Sequence, residues 1–243
     1  MPAPPQRRFP PYPRACLSSL LLLGLVHLGL LRAADYYLDV NGTTPGSGIT
    51  TGSSYNGTLA LWTPTTDGTG TLVVPPGRQG LVFSAGVDAS GKAYTVNGGL
   101  GQVGQGITVQ DGQVTLSGGG TFFSSQTVRT TTSGTALTIT GTTWDFYGNT
   151  VTFDAATGGP ISLNALSTVS GRGGHLIKTG PGLLTLTGNA TARGLSATVN
   201  AGELRLQSAN ALFTSGYAAT VTVNTGGTLS LSGGITVANN PLT

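Results

Sequence analysis

The chain has 243 residues, with 40 glycines, 8% charged residues, 38% hydrophobic residues and a formal net charge of +3. So few charges exclude a charged disordered chain, and so much glycine and threonine excludes a helical protein. The excess of positive charge lies at the start. Removing Arg7, Arg8, Arg14 and Arg32 leaves 7 basic residues against 8 acidic ones, or −1. The basic balance therefore carries no expectation of a nucleic-acid partner, and no basic stripe with interleaved aromatics remains.

The first element in the chain is a leader. Arg7, Arg8 and Arg14 precede an apolar run over 17–31, followed by Arg32-Ala33-Ala34. This is the arrangement of a secretory signal peptide, covering 1–33, with cleavage after Ala33 or Ala34. The run is shorter than the roughly 20 residues a membrane span needs. The only cysteine, Cys16, sits inside the leader. An exported protein would meet an oxidising compartment, and this one would use no disulfide there.

Residues 34–106 read as an N-terminal cap with the first irregular β coils. Tyr36-Tyr37-Leu38-Asp39-Val40 has the look of an opening strand, and Val74-Pro75-Pro76-Gly77 marks a turn. A stacked fold needs its first coil covered, because open strand edges invite pairing with other chains.

From Ile107 onward short alternating segments recur between glycine turns. They are Ile107-Thr108-Val109, Val114-Thr115-Leu116, Leu137-Thr138-Ile139, Val151-Thr152-Phe153 and Ile235-Thr236-Val237. Apolar residues and threonines alternate, which puts large side chains on one face of a strand and hydroxyls on the other. The turns recur as well: Val109-Gln110-Asp111-Gly112 parallels Val199-Asn200-Ala201-Gly202, and Val223-Asn224-Thr225-Gly226 repeats it. Glycine at a fixed place in each unit fits a turn that needs positive φ. Residues 107–243 therefore read as a repeat-bearing, all-β, right-handed parallel β-helix of about ten coils, with an antiparallel sandwich as the competing architecture.

The clearest unit spans 176–206. Leu184 and Leu186 stand 20 residues before Leu204 and Leu206, about one coil of a β-solenoid. Leu176, Lys178, Gly180, Gly182, Leu184, Leu186, Gly188, Gly194, Val199, Asn200, Gly202 and Leu204 fall where the autotransporter-associated β-strand repeat, or passenger-associated transport repeat, has them. The segment resembles that family. It departs where the family's Asn-x-Tyr is replaced by Ala190 and Ala192, and where the stretch between Gly194 and Val199 is one residue longer. The resemblance implies a passenger-type region without its membrane barrel, secreted or at the outer cell surface. It implies a structural or adhesive role, export machinery as partner, and a repeat that aids translocation and folding. Anchoring in a membrane would then need a region outside this chain. The open last coil leads to an expectation of end-to-end self-association.

Chemistry is sparse. His175 is the one histidine beyond the leader, too little for a histidine-based nucleophile or a zinc site. Among the acidic residues only Asp145 and Asp154 lie close in sequence, whereas polysaccharide-cleaving β-helices need clustered carboxylates. The expectation is a protein without catalytic residues, metal or cofactor. The alternatives are a carbohydrate-binding module and a polysaccharide-active β-helix enzyme. Trp144-Asp145-Phe146-Tyr147 is the one aromatic cluster, and alternation sends Trp144 and Phe146 to one face. That pair reads either as core packing or as a sugar-stacking platform.

Overall fold

The computed structural model describes residues 34–140, 144–164, 166–167, 173–190, 195–212 and 220–236. The leader and Gly194 lie outside the described residues.

Period-two alternation gives each strand a buried and a polar face, and the chain satisfies both by coiling. Three sheets run the length of a parallel β-helix. The first contains β1 (Asp35–Leu38), β4 (Gly80–Phe83), β7 (Ile107–Val109), β10 (Gln126–Thr130), β13 (Thr150–Asp154), β16 (Gly174–Thr179), β18 (Leu195–Val199) and β20 (Val221–Val223). The second contains β2 (Ser54–Asn56), β5 (Ala93–Asn97), β8 (Gln113–Leu116), β11 (Ala136–Ile139), β14 (Ile161–Leu163), β17 (Leu183–Leu186), β19 (Gly202–Leu206) and β21 (Gly227–Leu231). The third is shorter: β6 (Gly101–Val103), β9 (Gly120–Phe122), β12 (Trp144–Asp145) and β15 (Leu166–Ser167). Neighbouring strands within each sheet pair in parallel. The exception is β3 (Trp62–Thr63), which runs antiparallel along the outer edge of β1. This excludes the sandwich.

The second sheet shows how the sequence builds the core. Val114, Leu137, Ile161, Leu184 and Leu204 stand in register, one per coil, and all are buried. A second inward column is made by Leu116, Ile139, Leu163, Leu186 and Leu206. Burying each such side chain contributes about 1.5–3 kcal/mol. Between the two columns, on the outer face, Thr95, Thr115, Thr138, Ser162 and Thr185 form a ladder of hydroxyls that ends at Arg205. The alternation of apolar residue and threonine is thus the alternation of inside and outside.

One expected strand does not form. Ile235 and Thr236 repeat the Ile107-Thr108 sequence but lie outside any strand, and Val237 is not among the described residues. Gly233 and Gly234 both adopt positive φ, 83° and 69°. Two consecutive left-handed residues turn the chain off the ladder before Ile235, whereas a single one, Gly106, precedes β7.

Candidate functional site

The residues of the 176–206 unit occupy two neighbouring coils and do structural work. Leu176 lies between Val151 and Ala197 on the first sheet, Leu184 between Ile161 and Leu204 on the second, and Leu186 between Leu163 and Leu206. Gly182 and Gly188 sit where the next coil's backbone passes: a Cβ on Gly188 would fall 1.3 Å from the Asn164 carbonyl oxygen. Gly180 and Gly202 take φ of 72° and 66°, closing the corner between the first and second sheets. Asn200 holds the same corner to the coil beyond it, its Oδ1 accepting a hydrogen bond from Asn224 Nδ2 at 2.7 Å.

Lys178 is the chemical centre of this unit. Sequence placed it in the turn, facing out; the structure places it at the end of β16, fully buried. It stands in an otherwise apolar column, Leu81, Ile107, Val128, Phe153, Lys178 and Val199, each paired with the next. The alkyl stem fills the Leu-sized space between Phe153 and Val199, and the amine reaches the corner. There Nζ donates to the carbonyls of Thr179 at 2.5 Å, Gly180 at 2.8 Å and Ala201 at 3.1 Å. Three donors meet three acceptors from two consecutive coils. Burial pushes its pKa down to about 8, and the nearby Asp154 carboxylate opposes that shift. Closed off in this way, the amine has no room for a substrate. It ties the corner of one coil to the next.

The carboxylates group differently from their sequence spacing. Asp145 belongs to the third sheet and Asp154 to the end of a first-sheet strand, so the two do not share a face. The fold instead brings Asp39, Asp88 and Asp111 toward one another in the first coils. Burial raises the pKa of Asp39 and of Asp111, and the charge of Asp88 adds to both. Asp88 is also pushed up by burial, but it accepts from Ser47 N and Oγ, both at 2.7 Å, and from Gly48 N at 3.1 Å, and its pKa ends lowered. No sequence signal pointed to this group, because 49 and 23 residues separate its members. Its hydrogen bonds fasten loops. Among the described residues no three of His, Cys, Asp and Glu are placed to hold a metal. His175 faces outward, its Nε2 3.0 Å from Thr198 Oγ1.

Trp144 and Phe146 are not a platform. Both are 0% exposed and enclose Phe122, at ring-centroid distances of 5.0 and 5.4 Å. The missing side chain of Gly120 makes room for the indole, since a Cβ there would lie 2.9 Å from it, and Trp144 Nε1 donates to the Gly118 carbonyl at 3.0 Å. Alternation fixed that the two rings share a face; the face is the inner one. In comparisons with known proteins, the chain matches no family model, no curated protein and no solved structure.

Proposed function

We propose that the protein is exported and acts outside the cytoplasm as a β-helical structural or adhesive element, with its repeat coils aiding passage and folding of the chain. The observation that carries this reading is the stacking of the 176–206 unit. Leu184 on Leu204, Leu186 on Leu206 and the Lys178 amine on Ala201 make each coil a full template for the next. A solenoid of this kind folds by adding coils to an existing end. Coils that fold outside the membrane would keep a threading chain from sliding back. The lack of cysteine after the leader agrees with a chain that passes a narrow pore unfolded. The role is non-catalytic, the export machinery is the first partner, and any membrane anchor belongs to a region outside this chain.

The test is to express the full chain in a double-membrane bacterium and sequence the N-terminus of material released from the cytoplasm. The expected start is Ala34 or Asp35, with Leu204→Asp slowing release in a pulse-chase experiment. Intact Met1 confined to the cytoplasm would overturn the reading.

A further inference from the structure

The outer face of the third sheet carries two columns of side chains. In the first, Gln102, Thr121 and Asp145 stand in register on β6, β9 and β12. Two residues further along each coil comes the second column, where Phe123 and Tyr147 stack with ring centroids 5.6 Å apart and planes 20° from parallel. Rings in contact at that separation are offset, which leaves part of each face uncovered. Gly104 holds the matching place in the preceding coil, and Arg78 fills the space it leaves: a Cβ on Gly104 would lie 2.8 Å from Arg78 Cβ. The Arg78 guanidinium carbon sits 3.7 Å from the Phe123 centroid, and its Nε donates to Gln102 Oε1 at 3.1 Å. Arg78, Phe123 and Tyr147 thus form one continuous column, joined to the polar column through Gln102.

Two further observations fall on the same face. Arg78 (φ 70°) and Tyr147 (φ 51°) are the only non-glycine residues with positive φ among the described residues. They flank Phe123 on either side. Such a conformation costs roughly 1–2 kcal/mol for a residue with a side chain, and glycine would take either place without it. Asp145 Oδ1 accepts from Tyr147 N at 2.9 Å, holding the strained residue with its ring outward. Backbone strain of this kind gathers where a side chain is held for binding. On the other flank of the polar column lies a shallow trough floored by Gly99, Gly101, Gly119 and Gly120. With no side chains there, a ligand can approach the backbone closely.

We propose that this face binds an extended, neutral polysaccharide lying along the solenoid axis, one sugar per coil. A pyranose ring has an apolar C–H face and a rim of hydroxyls. The Phe123–Tyr147 column offers ring surface for the first, and Gln102, Thr121 and Asp145 offer donors and acceptors for the second. The columns stand two residues apart, about 6.7 Å, which is the width of a sugar with its hydroxyls. Successive coils rise by about 4.8 Å, close to one unit of an extended chain. One arginine and one aspartate give the face no net charge, so an acidic polymer gains nothing there. This deepens the adhesive role proposed above and rests on it for its biological setting, while its test reads binding alone.

The experiment is affinity electrophoresis of the full chain in native gels containing hydroxyethyl cellulose, xyloglucan, galactomannan or polygalacturonate. Retardation is expected with at least one neutral polymer and not with polygalacturonate. Tyr147→Gly and Arg78→Gly relieve the strain, so the melting temperature should hold or rise while affinity falls about tenfold. Thr121→Trp should block the trough and abolish retardation, and Thr138→Ala on the second sheet should change nothing. Failure of every neutral polymer, retardation by polygalacturonate alone, or native-like binding by Tyr147→Gly would overturn the proposal. So would a Tyr147→Gly variant that melts well below the native protein, because the strain would then serve the fold. A chain that binds a neutral polymer but is never exported would sink the export reading and leave this site standing.

Discussion

The first coil and the repeat coils meet the same packing requirement with very different lengths of chain. Ser54 and Thr95 pair one coil apart although 41 residues separate them; Leu184 and Leu204 pair across 20. The extra chain covers an end. β3 shields the edge of β1, Trp62 is buried against Phe83 with its Nε1 donating to the Gly57 carbonyl at 3.0 Å, and Asp88 pins the loop at Ser47 and Gly48. A coil at the end has one neighbour and must supply its own second face. An interior coil has two, so two strands, two glycine corners and one buried lysine suffice. Irregular sequence marks the end of the solenoid, and regular sequence marks its middle.

The largest effect should separate the two regions outright. Leu204→Asp buries an unpaired charge between Leu184 and Leu229 and should cost about 4 kcal/mol or more. If coils are stabilised by their neighbours, hydrogen exchange should lose protection over 176–231 and keep it over 35–116. Trp62→Ala, at about 3–5 kcal/mol, should do the reverse. Loss of protection along the whole chain in both variants would show one cooperative unit and break the comparison.

Next come the glycine corners. Gly52 in the first coil and Gly202 in the repeat both have positive φ, 79° and 66°. Nothing lies within 4 Å of a Cβ on Gly52, while a Cβ on Gly202 would meet the Gly180 carbonyl oxygen at 2.5 Å. Gly52→Ala should therefore cost only the left-handed conformation, about 1 kcal/mol, and Gly202→Ala about 3 kcal/mol. Equal denaturant midpoints for the two would mean that the corner between coils is looser than its contacts show.

The unequal legibility of the sequence follows from the same contrast. The Leu184/Leu204 and Leu186/Leu206 stacks were readable because a two-residue alternation and a 20-residue recurrence both survive in one dimension. Lys178 was misread as an outward turn residue, since lysine is rarely buried; only its register with Phe153 and Val199 shows it inside. For Trp144 and Phe146 the shared face was legible and its direction was not, because a two-residue period says nothing about which side is the core. Arg78, Phe123 and Tyr147 left no signal at all. They meet only because coils of different length bring them to one corner, with Gly104 vacating the place that Arg78 fills.

The buried lysine separates the regions by pH. Its pKa is lowered from 10.5 to about 8 on folding, because burial disfavours the ammonium. Between those values the unfolded chain holds a proton that the folded chain has released, so stability from this residue rises with pH across roughly 8 to 10.5. The gain is on the order of 2–3 kcal/mol. Tyr37 and Tyr94 in the first coils have raised pKa values, chiefly through burial, and work in the opposite direction above pH 10. The clean measurement is therefore the difference between the native chain and Lys178→Met. That difference should shift in favour of the native chain as pH rises from 8 to 10, although the variant loses the donor to three carbonyls at every pH. A difference independent of pH would place the amine in contact with water.

The smallest effect is expected on the outer face of the same coils. Arg205 stands between two inward leucines on β19 and pairs with Glu203, Nη2 to Oε1 at 2.9 Å, with both side chains about one-third exposed. Glu203 Oε1 also accepts a hydrogen bond from Ser230, so the carboxylate keeps a partner when the arginine is removed. Solvent screens the ion pair, and the hydroxyl ladder on either side of Arg205 asks nothing of its charge. Arg205→Gln should change stability by no more than about 0.5 kcal/mol, against several for its neighbour Leu204. The ratio of the two is the sharpest reading of inside against outside in a single strand. Comparable losses for both, measured in the same denaturant titration, would show that the outer ladder of the repeat is itself part of what holds the coils together.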